Sequence, residues 1–103
     1  MNYGLKENTI QKIQEVLAAF PEVSVAVIYG SRAKGNYKPG SDIDLTLKGN
    51  NLNLSIANKI SLALDDLYLP YTFDLSIYNH IDNPELIEHI NRIGITFYEK
   101  KTA

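Results

Sequence analysis

The sequence has no cysteine and no tryptophan, one methionine and no long apolar run. Without thiols it can form neither a disulfide framework nor a thiolate zinc centre. Without about twenty consecutive apolar residues it has no transmembrane helix, and no secretory leader is visible at its N-terminus. Positive charge is not in surplus either. Ten Lys plus Arg stand against twelve Asp plus Glu, a formal charge of −2, so no broad basic field recruits nucleic acid. These absences predict a cytoplasmic protein, off the membrane, with no direct nucleic-acid binding. At 103 residues the chain predicts one domain, 1–103, with a modest core and no room for a second domain to hold a substrate. It shows no internal repeat, and its only low-complexity stretch is the polar end from Lys100 to Ala103.

What is present is a regular alternation of helical and extended patterns. Ile10, Ile13, Leu17 and Phe20 recur at spacings of three and four and predict a packing helix over 6–20, closed by Pro21 and Glu22. The β-branched run 23–29 is apolar on both faces, which predicts a central strand covered from both sides. After the turn 48–51, Ile56, Ile60, Ala63 and Leu67 mark the buried side of a second helix, 52–67. Its adjacent Asp65 and Asp66 diverge in direction and belong to the surface. A strand follows over 71–78. Asn83 as N-cap and Pro84 at the first helical position then open a helix with Leu86, Ile87, Ile90 and Ile93 on its apolar side. Gly94 stops it, and 95–98 reads as a short strand or a tail packed on the sheet. His80 and His89 read as surface or packing residues.

The chemistry concentrates in 30–45. Gly30 ends the first strand and Ser31 follows at the start of a short helix, where a residue without Cβ and free backbone N–H groups suit a phosphate. The run 34–40 is made of turn-formers and is loop. A second strand, 42–47, then alternates. Asp42, Asp44 and Thr46 share one face, and Ile43, Leu45 and Leu47 point into the core. Two neighbouring carboxylates repel unless a cation lies between them, and hard oxygen ligands suit Mg²⁺ or Mn²⁺. Alone, Asp-x-Asp is usually a solvated strand face or an Asx-turn; the Gly-Ser turn upstream shifts the reading to a metal-and-phosphate site. Arg32, Lys34, Lys38 and Lys48 outnumber the two acids between residues 30 and 48, a local excess suited to a triphosphate. Tyr37 in the loop is positioned to stack on a base. In 71–78 Thr72, Asp74 and Ser76 share one face, and an aspartate in mid-strand is out of place by propensity.

This order of residues resembles the signature of the DNA polymerase beta superfamily of nucleotidyltransferases. Gly30, Ser31, Arg32, Ala33 and Gly35 match its glycine-serine half, and Ser41-Asp42-Ile43-Asp44-Leu45 its carboxylate half. Asp74 matches the family's third acid by order, strand context and face. Over nearly its whole length the chain is similar to the minimal nucleotidyltransferases, which act beside a small HEPN-type helical partner in toxin–antitoxin pairs. The resemblance implies an α+β fold of the polymerase beta-like type, with a central mixed β-sheet and packing helices. It implies two Mg²⁺ ions, with Mn²⁺ as substitute, held by Asp42, Asp44 and Asp74 as metal-binding and catalytic residues. ATP would be the donor, its phosphates on Gly30 and Ser31 with Arg32 as a supplementary contact. The acceptor would be a hydroxyl, a tyrosine, of the HEPN-type partner in a hetero-oligomer, and its AMPylation would neutralise that toxin. Two alternatives remain open: an antitoxin that binds nucleotide without catalysis and acts by complex formation, and transfer to a small molecule or an RNA 3′ end.

Overall fold

The structure, a computed structural model, describes residues 2–101. Helix α1 (Glu7–Ala18) runs into β1 (Val25–Tyr29), which passes directly into the short helix α2 (Gly30–Lys34). Strand β2 (Ile43–Lys48), helix α3 (Leu54–Asp65) and strand β3 (Phe73–Ile77) follow. A 3-10 turn (Tyr78–His80) then leads to α4 (Pro84–Ile93) and β4 (Ile95–Glu99). The helix starts obey local chemistry. Asn53 caps α3 by accepting from the Ile56 N–H at 2.9 Å. Asn83 caps α4 by accepting from Glu85 N–H at 3.0 Å, with Pro84 at the position whose missing N–H costs nothing.

The four strands lie in the order β3-β2-β1-β4. Strands β2 and β4 flank β1 antiparallel, whereas β3 lies parallel to β2, so the sheet is mixed, as expected for an α+β chain. The parallel pair is possible because α3 carries the chain back over one face. The terminal segment is a true strand, paired with β1 and irregular between Ala26 and Val27.

The two faces of the sheet are unlike. Ala26, Ile28, Ile43, Leu45 and Leu47 join Ile13 and Leu17 of α1 and Ile60 and Leu64 of α3 in the main core, all buried. Leu5, ahead of the first helix, is also wholly buried there. On the opposite face Val27 and Tyr29 pack with Ile90 of α4 in a smaller cluster. Helix α4 therefore roofs the β1 part of that face. Among the described residues no helix is long and apolar enough to cross a membrane.

Candidate active site

Strand pairing assembles the site. Tyr29 on β1 lies opposite Asp44 on β2, and Asp44 lies beside Asp74 on β3. Paired residues across a sheet share a face, so the three side chains stand in one row at strand spacings of about 4.8 Å. Asp42 precedes β2 by one residue and lies on the same side as Asp44. Asp42 and Asp74 are exposed, while Asp44 between them is half-buried. Burial, then the Asp74 and Asp42 carboxylates, push the Asp44 carboxyl up to about 6. Tyr29, buried at the end of the row, is also raised, first by burial, against the opposing pull of a hydrogen bond with Ser76, and further by Asp74 and Asp44.

The turn after β1 presses against this row. Gly30 has φ 72°, the left-handed region that favours glycine, and a Cβ there would collide with Asp44 Oδ2. The acid and the glycine turn are thus one packed unit. The Gly30 N–H donates to His89 Nε2 at 3.2 Å, and the His89 ring meets Tyr29 edge-on at 6.1 Å between centroids. His89 therefore pins the turn from α4, a packing role. Ser31 follows, half-buried in the first turn of α2.

Arg32 is placed differently from expectation. It is 2% exposed, and its guanidinium donates to the Ser41 carbonyl through Nε at 3.0 Å and Nη2 at 2.9 Å. Nη1 donates to the Tyr3 carbonyl at 2.9 Å and Nη2 also to Pro39 at 3.3 Å. Tyr71 and Tyr37 lie against it, 4.8 and 5.4 Å from ring centroid to Cζ. A guanidinium so occupied ties the N-terminal segment and the 35–41 loop to α2 and is not turned to a phosphate, which corrects the supplementary contact expected of Arg32. Tyr37 lies against Arg32 and close to Gly4 on one side of its ring and is otherwise exposed.

The acids meet the chemical requirements of a hard divalent cation. The donors are all oxygen, and Asp44 resists ionisation first because it is partly buried and then because its neighbours are carboxylates, the second a repulsion that a cation would reverse. One residue pair further along the same face, Thr46 and Ser76 stand side by side. The Thr46 hydroxyl oxygen is buried without a hydrogen-bond partner, and the buried Ser76 hydroxyl lies against the Tyr29 hydroxyl, so the two extend the oxygen lining. Among the described residues no three acid or histidine side chains already converge at ligand distance, so the carboxylates form a loose set. Thr46 and Ser76 were placed on the acids' faces by strand alternation and His89 was read as a surface or packing residue, but Tyr29 was not assigned to the site from sequence. Tyr29 could have been found as the last strand residue before the glycine; the His89 contact spans 59 positions and carries no local signal.

Two hollows flank the sheet at its opposite edges. One, of about 460 Å³, touches Asp74 and runs along β3 beside α3. The larger, about 640 Å³, lies between α1 and β4 and contains none of the three acids.

The profile of the family described as polymerase beta, nucleotidyltransferase matches residues 11–103. Among solved structures, a toxin–antitoxin with AMP-PNP is similar at a TM-score of 0.70 and 19% identity, covering 94% of this chain and 76% of that one. A tri-AMPylated Shewanella oneidensis HEPN toxin in complex with MNT antitoxin is similar at 0.69 and 15% identity, over 93% and 74%. The toxin–antitoxin MntA–HepT gives 0.68 and 15% identity, over 92% and 74%. At these identities the likeness is one of fold. Comparison with curated proteins gives no match.

Proposed function

We propose, from the premise that the chain belongs to the polymerase beta nucleotidyltransferase family, that it transfers AMP from ATP to a tyrosine hydroxyl of a HEPN-type partner and thereby neutralises that partner. Family members use divalent metal ions and a nucleoside triphosphate. Here Asp42, Asp44 and Asp74 would hold the two Mg²⁺ ions. When bound, the ions neutralise the triphosphate and lower the pKa of the attacking hydroxyl.

The remaining work falls to the chain's own groups. The Gly30 turn brings the chain close to the β- and γ-phosphates, and because the Gly30 N–H is already given to His89, the donors that bind them are those of Ser31 and the residues after it. Asp74, exposed at the open end of the row, takes the proton from the acceptor hydroxyl. That oxygen attacks the α-phosphorus, the bond from the α-phosphorus to its bridging oxygen breaks, and pyrophosphate leaves. An AMP group adds charge and bulk to the partner's tyrosine, which repels RNA phosphates as phosphorylation does.

The observation that carries this reading is the placement of Asp44 beside Asp74 on adjacent strands, with Gly30 packed on Asp44. The similar solved structures that hold AMP-PNP or a tri-AMPylated HEPN toxin support the donor and the acceptor class. The same reading makes the chain a single-domain cytoplasmic protein in a hetero-oligomer. Intact-mass spectrometry of a purified HEPN-type protein, incubated with this chain, ATP and Mg²⁺, tests it. The expected result is a gain of one or more AMP units, lost with Asp42→Asn/Asp44→Asn. A tight complex with no mass gain would replace transfer with neutralisation by binding alone.

A further inference from the structure

We propose that the outer edge of β3 is where the acceptor docks, as an extended polypeptide segment added as a fifth strand to the four-stranded sheet. The proposal rests on the transfer reading above for the identity of the site, and adds how the acceptor is held.

The backbone argument comes first. The Ile43 N–H donates to the Thr72 carbonyl at 2.9 Å, which sets the phase of the parallel β2–β3 ladder. In such a ladder alternate residues turn their N–H and C=O to the partner strand. Thr72, Asp74 and Ser76 therefore face β2, and Phe73, Leu75 and Ile77 turn their backbone groups outward. Among the described residues no strand lies on that side and no further backbone hydrogen bond reaches Phe73 or Leu75, while the Ile77 carbonyl opens the 3-10 turn that follows. An edge of this kind is a template for another chain.

Shape and charge select the occupant. The hollow of about 460 Å³ along this edge has Asp74 and Ser76 on one side and Leu54, Ala57 and Ser61 of α3 on the other. Leu54 is 65% exposed. The lining contains no Lys or Arg, so an RNA strand would find no cation for its phosphates. A polypeptide finds hydrogen bonds at every second residue and an apolar contact at Leu54. Side chains of an added strand alternate between faces. The residue paired with Asp74 then extends the Tyr29–Asp44–Asp74 row by one place, about 4.8 Å on, and its hydroxyl comes beside the Asp74 carboxylate. Its two neighbours point to the α3 side. The docking mode thus selects an extended segment with a hydroxyl residue between apolar neighbours.

The probes are synthetic heptapeptides with a central tyrosine flanked on both sides by valine, added to the ¹⁵N-labelled chain with and without ATP and Mg²⁺. Amide shifts are expected at Phe73, Leu75 and Ile77. Single backbone N-methylation along the peptide should weaken binding at least tenfold at every second position and little at those between. Ser61→Trp, which fills the hollow, should raise the KM for the peptide at least tenfold with ATP affinity unchanged. N-methylation without that period of two, or shifts at Phe97 and the opposite edge, would overturn strand addition. So would ATP and Mg²⁺ binding with no peptide response at β3, an outcome that leaves the nucleotide site standing. Peptide shifts at β3 without any ATP binding would support the docking edge and overturn the transfer reading instead.

Discussion

The two sides of β2 are built from neighbouring residues and obey opposite rules. On one side Ile43, Leu45 and Leu47 have no exposed surface and meet two helices. On the other, one residue away each time, stand Asp44, Thr46 and Lys48, with acids beside them and α4 roofing only the β1 part of the face. The first side gains free energy by excluding water from apolar surface. The second places like charges together, which opposes folding and suits a cation. A strand can serve both ends because its period of two separates them completely.

The contrast is broken most deeply at Asp44. Asp44→Asn should lower AMP transfer on the order of a thousandfold, the scale on which a fixed electrostatic group acts, while thermal melting shows the variant at least as stable as the parent. On the core side the reverse is expected. Leu45→Ala should cost about 2–5 kcal/mol in denaturant unfolding, with activity per folded molecule retained below the transition.

Arg32 offers a test between the two. Its guanidinium is buried on carbonyl oxygens, so Arg32→Lys, which lacks the planar fork, should cost about 1–3 kcal/mol of stability. Nucleotide affinity of the folded fraction should stay at the parent value; a loss of ATP affinity without loss of stability would return Arg32 to the phosphates.

The smallest effect is the pH dependence of the acid row. The Asp44 carboxyl lies near 6 in the fold against an ordinary 3.8. Between these values the folded chain holds more protons than the unfolded one, so stability falls as pH rises through the window, and the cost is complete above about 6. Asp44 is only partly buried and solvent screens it, so the melting temperature should drop by roughly a few degrees. Mg²⁺ should restore more of it at about pH 7 than at about pH 4. An equal effect of Mg²⁺ at both would separate the ion from these carboxylates.

Much of this was legible in residue order. The helices, the Asn83-Pro84 start and the alternation of β2 and β3 are local patterns, set by side-chain periodicity and backbone chemistry within a few residues. Asp42, Asp44 and Asp74 could be assigned to one kind of face for the same reason. Arg32 could not be read this way. A cation next to a Gly-Ser turn looks free for phosphate until Tyr3, 29 positions earlier, supplies a carbonyl that holds it. Nor could His89, which meets Gly30 only because α4 crosses β1.

By itself, then, the sequence determined which residues form strands, which side of each strand is charged, and the family to which the chain belongs. Only the tertiary structure decided that β3 lies beside β2 in parallel, that Asp44 and Asp74 are therefore neighbours, and that the edge next to Asp74 is open. The physical reason is range. Periodicity and turn chemistry act over a few bonds, whereas strand order and the company of a buried charge depend on which distant surfaces meet when the apolar faces close.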